Sequence, residues 1–405
     1  MGSRSRWSPT DLAPIVEQAR KHLRDDAGRL WSHQAAPRWI FADGDVWWLT
    51  EAEEGAVGPG SLWARDADAN AATANTAVSW HGRDWAMIAS DDDLPTVPLL
   101  LHEAFHAFWQ PQWQWVRPVE AGDDTLSHPV GRAAVLTELQ AWAAALRTGN
   151  LELGRAARSI RDWRLDQLSA AERDRQDYFD LWEGIPEYSA LRWSRTPAAR
   201  IAALAAAGPR GGSWYRSLCY TTGPVLGYVL DHFDPGWRPR LPAAGSLSAM
   251  INTVVPVADA AIEQLLDEYG YPQLLQDEES AHAAWSAEDR ALRARFATVL
   301  WIPNPSSITF DPREVRHWDL GTFYRNLTVR TDDLLLDVGE GAVVTRNWGW
   351  IGLPAPESYD PAALALIGRG WRLESTKPLR EHGAVLGDRS PETIPRDVAQ
   401  DAADS

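Results

Sequence analysis

Cysteine is almost missing from this chain: Cys219 is the single one in 405 residues. That excludes an intrachain disulfide framework and any cysteine-based zinc site, so a metal would have to draw its ligands from His, Asp or Glu. The scarcity fits a reducing cytosol. Positive charge is also in deficit, since 39 Lys and Arg face 56 Asp and Glu for a net charge of −17. Nucleic acid and anionic membrane surfaces attract basic patches, so neither is expected as the main partner. No run of about eighteen apolar residues is present, so no transmembrane helix is expected. The opening Met1–Asp11 is basic and then polar, without the apolar stretch of a signal peptide. Together these features point to a soluble, cytoplasmic protein.

What the chain does have is apolar material, 45% of residues, enough for two or three domains with real cores. Tryptophan is in excess at 23 residues. Flat aromatic faces bind sugar rings, so a carbohydrate-binding or carbohydrate-processing protein is one reading. The tryptophans run from Trp7 to Trp371 rather than clustering in one module, which favours core packing.

Along the chain, residues 8–34 carry an apolar stripe (Leu12, Ile15, Val16, Ala19, Leu23, Leu30) behind a Ser8-Pro9 start, predicting an amphipathic helix. From Arg38 to Ser90 the pattern shifts to short β-like runs at 38–41, 45–49, 76–80 and 85–89, interrupted by a Gly/Ala/Asp/Asn-rich loop from Gly55 to Asn75. The acidic Asp91-Asp92-Asp93 would enter a helix running from about Val97 to Trp109, near the positive end of its dipole. Pro111 ends it. An Ala-rich helix over 131–149 ends at Gly149, and further helices are expected at 151–166, 169–195, 198–207, 213–232, 257–269 and 279–299. Beyond Pro303 short β runs return, at 308–310, 321–324, 327–329, 334–338, 342–345, 350–353 and 370–373. The organisation expected is 1–95 as an N-terminal helix and sheet, 96–302 as a helical domain containing the functional site, 304–375 as a small β domain, and 376–405 as a polar flexible tail.

The chemistry concentrates in the helix at 97–109, in His102-Glu103-Ala104-Phe105-His106. Residues four apart on an α-helix lie one above the other, so His102 and His106 present two imidazoles to one point. This H-E-x-x-H spacing suits a zinc ion, with Glu103 in reach of an activated water as general base. The flanking Leu99-Leu100-Leu101 and Phe108-Trp109 imply burial, and a charge buried there needs a partner. The same residues could instead be two core histidines satisfied by backbone carbonyls. A zinc needs a third protein ligand, and Glu138, an acid in the Ala-rich helix between Leu136, Leu139 and Trp142, is one candidate as ligand or supporting group.

Downstream, Asp180-Leu181-Trp182-Glu183-Gly184-Ile185-Pro186-Glu187-Tyr188 follows the motif, and here the chain resembles the gluzincin metallopeptidases, over roughly residues 75–235. In that family a later Glu followed by Gly is the third zinc ligand. The resemblance implies Glu183 in that role, Glu187 as a group orienting a ligand histidine, and a Tyr or His stabilising the oxyanion. Tyr220 suits this last role best, ahead of Tyr188 and His232. Gly223 and Gly227, three and seven positions after Tyr220, would let another backbone approach its helix. His81 and His128 sit in turn-like settings and read as solvent-exposed. The family's edge strand, which holds the substrate backbone, would fall within Thr76–Ala89. Pro186 removes a helical hydrogen bond between the two glutamates unless a helix restarts near Ile185 with the proline in its first turn.

The resemblance thus implies an α+β, zincin-like fold and a Zn2+-dependent peptidase acting on a peptide or protein. The alternative is a zinc-binding but catalytically silent scaffold for a protein partner. The match stops short of any subfamily. Ala104 stands where zincins place a bulky residue, the G-x-M-E-N and N-E-x-x-S-D segments are missing, and 77 positions separate His106 from Glu183.

Overall fold

The computed structural model describes residues 7–44, 46–53, 62–68, 74–89, 93–113, 125–209, 214–304, 308–310 and 315–388. Helix α1 (Pro9–Asp26) starts with a capping box, in which the Ser8 side chain accepts from the Asp11 N–H while Asp11 bonds back to the Ser8 backbone. It stops short of the expected residue 34, because Ala27 turns left-handed (φ 53°) and Gly28 follows with φ 75°. Five strands come next, β1 (Trp39–Asp43), β2 (Val46–Leu49), β3 (Trp63–Asp66), β4 (Thr76–Trp80) and β5 (Arg83–Ala89), in the order β3-β2-β1-β5-β4. β1 and β5 pair in parallel, and the other pairs are antiparallel. β4 and β5 are joined through His81 and Gly82, both at positive φ (51° and 71°), as a two-residue hairpin turn requires. β3 lies in the stretch read as a loop, since Trp-Ala-Arg-Asp offers one large apolar residue to the eye.

Strand alternation gives this sheet two covered faces. Ile40, Ala42, Trp47, Leu49, Trp85 and Met87 pack together on one side. Trp39 points to the other, where its Nε1 donates to the Leu100 carbonyl of α2 (Val97–Phe108) at 2.9 Å. Helix α2 starts at the Thr96 cap with Pro98 in its first turn, and its neighbours include β5, the outer strand β4 and α1.

The helical centre follows: α3 (Pro129–Thr148), α4 (Leu151–Asp166), α5 (Ala170–Phe179), a π-turn over Asp180–Gly184, α6 (Ile185–Trp193), α7 (Ala198–Ala207), α8 (Trp214–Ser217), α9 (Cys219–Phe233), α10 (Leu241–Ala244), α11 (Leu247–Val254), α12 (Ile262–Glu268) and α13 (Tyr271–Arg295). Tryptophan serves largely as core: Trp39, Trp47, Trp85, Trp142, Trp237 and Trp301 are among the largest fully buried side chains. Among the described residues no helix is long and apolar enough to cross a membrane.

The chain divides into two compact units, Met1–Pro209 with Leu218–Leu275, and Arg210–Ser217 with Gln276–Ser405. The division falls inside α13 rather than near residue 303. The second unit contains β6 (Thr298–Pro303), β7 (Ile308–Phe310), β8 (Val315–Trp318), β9 (Gly321–Tyr324), β10 (Leu327–Arg330), β11 (Leu334–Val338), β12 (Ala342–Val344), β13 (Trp350–Pro354), β14 (Ala365–Gly368), β15 (Trp371–Ser375) and β16 (Val385–Asp388). They form two antiparallel sheets, β14-β15-β11-β10-β7 and β16-β6-β13-β12-β9-β8. Leu300, Ile302 and Ile351 of one sheet and Val329, Leu336 and Leu373 of the other share one core, a β-sandwich. The opposite face of β6, Val299 and Trp301, packs with Leu292 and Phe296 at the end of α13.

Two expectations are corrected here. The helix expected over 279–299 ends at Arg295, and β6 follows in a stretch to which the sequence assigns no strand; it is covered on both faces, and such strands read as continuous apolar runs. The expected tail from 376 onward is ordered as far as residue 388, because Leu379 and Ala384 are buried and β16 pairs with β6. Residues 389–405, and Asp91 and Asp92 before α2, lie outside the described residues.

The run that carries part of the site is anchored at its start. Glu172 accepts from the backbone N–H and hydroxyl of Thr125 (2.8 and 2.6 Å) and from the N–H and hydroxyl of Ser169 (2.9 and 2.8 Å). Burial opposes its charge, but these four donors hold its carboxyl down at about 2, against an ordinary 4.5. Because the folded value is depressed, this stabilisation is complete above about 4.5 and is lost as pH falls toward 2. Between those limits the wild type should lose about 1–2 kcal/mol more unfolding free energy than Glu172→Gln, allowing for solvent screening. Urea titrations across the acid range check this; equal slopes would contradict it.

Candidate metal centre

Helix α2 delivers His102, Glu103 and His106 from a largely buried surface, with His102 4% and Glu103 5% exposed. Their counterpart is the π-turn. Pro186 has no N–H, and in a regular helix its ring would press on the Trp182 carbonyl four residues earlier. The helix widens over Asp180–Gly184 and restarts as α6 with Pro186 in its first turn. Glu183 and Glu187 thereby face α2 together. Glu187 Oε2 lies 3.1 Å from His102 Nδ1, and Glu183 Oε2 lies 3.3 Å from both His102 Nε2 and His106 Nε2.

The two Nε2 atoms are 3.0 Å apart. Three potential ligand atoms therefore form a triangle with sides of 3.0, 3.3 and 3.3 Å. Two imidazoles and one carboxylate are a catalytic zinc donor set, and corners of a tetrahedron with 2.0–2.1 Å bonds lie about 3.3–3.4 Å apart. The residues present fit that ion. Among the described residues, His102, His106 and Glu183 form the one group of three or more such side chains able to share a metal.

The electrostatics agree with a site built for positive charge. Burial alone pulls the His102 imidazole down, but Glu183 and Glu187 reverse this and hold it up at about 10. Burial likewise opposes charge on Glu183, and the two imidazoles keep its carboxyl well below the ordinary range. Glu103 goes the other way: burial raises its affinity for a proton, and its Oε2 is buried with no hydrogen-bond partner.

Tyr220, on α9, donates its hydroxyl to Glu183 Oε2 at 2.9 Å, and its ring stacks on His102 with centroids 5.7 Å apart. It is 44% exposed, so the site opens to solvent beside it. Burial of the hydroxyl and the Glu183 charge hold its proton well above the ordinary tyrosine range. Helix α9 comes this close because glycine meets glycine: a Cβ on Gly223 would lie 2.2 Å from the Gly184 Cα, and one on Gly227 would lie 2.3 Å from the Tyr188 ring.

Other expected residues sit elsewhere. Glu138 belongs to a buried ion network behind the site, its oxygens taken by Arg161 Nη1 at 2.7 Å, Arg164 Nε at 2.6 Å and the Trp142 indole at 3.2 Å, so its partners are two guanidinium groups and an indole rather than a metal or a motif histidine. Tyr188 donates to Asp231, and His232 Nε2 faces the Gly149 carbonyl at 3.0 Å. His81 is exposed and stacks on Trp80, and His128 is exposed beside the start of α3. Gln110, which no motif marked, lies 2.5 Å by Oε1 from His106 Nδ1. Its one signal in the sequence is its place four residues after His106.

With this geometry in hand, comparison with known proteins adds no relative: no family model matches the chain, and no curated protein or solved structure is significantly similar to it.

The glycine contact yields a test. Gly223→Ala must push α9 from the π-turn, and should lower the unfolding free energy by about 1–3 kcal/mol, as overpacking does. Equilibrium urea unfolding measures this, and unchanged stability would refute the close approach.

Proposed function

We propose that this chain is a zinc-dependent metallopeptidase of gluzincin type on a zincin-like fold, with His102, His106 and Glu183 as ligands. The observation that carries the reading is the convergence of these three side chains, with an unpartnered carboxylate oxygen on Glu103 beside them. A zinc ion held there would supply Lewis acidity, polarising a scissile carbonyl and making water more acidic.

The chain's own groups do the rest. Glu103, buried and inclined to hold a proton, takes one from the attacking water and passes it to the amine as the C–N bond breaks. Tyr220 keeps its hydroxyl proton and donates it in a hydrogen bond to the oxygen on which negative charge develops. Glu187 orients the His102 ring through Nδ1. Strand β4 is the outer strand of its sheet and lies beside α2, so an extended peptide can add to it by backbone hydrogen bonds. A peptide or protein is the substrate class. The burial of many tryptophans weakens the carbohydrate reading.

Glu103→Gln removes the base while keeping the side chain's shape. Hydrolysis of a peptide library should fall by at least about 10²–10⁴-fold with zinc content unchanged. Retained turnover in that variant would sink the proposal.

A further inference from the structure

His106 can present Nε2 to a metal only if its hydrogen sits on Nδ1, and what holds it there can be traced bond by bond. Gln110 follows α2 in a single turn of tighter helix (Gln110–Gln112) and is 3% exposed. Its Nε2 lies 2.8 Å from the Trp182 carbonyl and its Oε1 2.5 Å from His106 Nδ1. A backbone carbonyl only accepts, so the amide must turn its NH2 to Trp182. Its oxygen then faces His106, and an oxygen only accepts as well. Nδ1 must therefore carry a hydrogen, and in the neutral ring this leaves the Nε2 lone pair directed toward His102 and Glu183. The Trp182 carbonyl is open to Gln110 because the residue four positions on is Pro186, which has no N–H to give it.

We propose that Gln110 is a positioning residue that sets the tautomer of His106, and that Pro186 sustains it by withholding the helical donor from Trp182. The metal-binding consequence rests on the proposed function above, whereas the tautomer does not. The same proline that widens the helix beneath Glu183 thus also frees the carbonyl that orients the opposite ligand. Removing such an orienting partner typically costs 10–100-fold in metal affinity.

The experiment is ¹⁵N-histidine NMR of the chelator-stripped full chain, paired with zinc titration of wild type, Gln110→Met and Gln110→Glu. Wild-type His106 should show a protonated Nδ1 and an unprotonated Nε2. Gln110→Met should lose that preference and bind zinc about 10–100-fold more weakly. Gln110→Glu, which can still accept from Nδ1 although it gives up the donor to the Trp182 carbonyl, should keep the tautomer and bind zinc more tightly than Gln110→Met. A wild-type His106 carrying its hydrogen on Nε2 would overturn the proposal. So would Gln110→Met with tautomer and affinity unchanged. If Gln110→Met does not fold, the wild-type tautomer and Gln110→Glu decide. A wild type with the Nδ1 tautomer but no zinc affinity would sink the metallopeptidase reading and leave the positioning role standing.

Discussion

Three electron-rich atoms that repel one another are held at a single point: His102 Nε2, His106 Nε2 and Glu183 Oε2, all within 3.3 Å of each other. With Glu187 fixing a hydrogen on Nδ1 of His102 and Gln110 fixing one on Nδ1 of His106, both rings turn lone pairs inward, and only a cation reconciles them. A proton answers part of that demand, which is why His102 is held so far above ordinary imidazole basicity. A divalent metal with tetrahedral preference answers all of it. The arrangement is costly unless positive charge is supplied, so the surrounding structure has to over-determine it.

That over-determination comes from three elements. Helix α2 is pinned at its back by the Trp39 indole on the Leu100 carbonyl. The π-turn is held by Asp180, which accepts from Thr222 and faces Arg161 at 3.5 Å, linking it to the Glu138 network. Helix α9 closes against the turn where Gly184 and Gly223 leave no side chain between backbones, bringing Tyr220 to Glu183. Pro186, a residue that ordinarily breaks a helix, instead widens one, and frees a carbonyl in doing so.

How much of this was legible in the sequence follows from where each signal lies. His102, Glu103 and His106 are readable because helical spacing alone puts the imidazoles together. Glu183 and Glu187 were readable through resemblance, since nothing local says that a segment 77 positions away returns to α2. Glu138 misled because a lone acid on an Ala-rich helix looks the same whether it meets a metal or two arginines, and Arg161 and Arg164 lie on the next helix. A helix restarting at Ile185 with Pro186 in its first turn was readable as one alternative, but nothing in the sequence marks the π-turn before it. In the second unit, β6 was obscured by burial on both faces, which removes the alternation that marks a strand, and β16 by its brevity within a polar segment. The coarse plan of a small sheet, a helical centre and a β-rich C-terminal part was legible throughout.

The central claim is that His102, His106 and Glu183 together hold one zinc ion. X-ray absorption at the zinc edge on the full chain, with metal analysis of the same sample, addresses it directly. The account predicts one zinc per chain, with a shell of nitrogen and oxygen at about 2.0–2.2 Å carrying the multiple-scattering signature of two imidazoles, and with one imidazole contribution lost in His106→Ala. A chain that takes up no stoichiometric zinc, or one whose zinc spectrum is unchanged in His106→Ala, would contradict it.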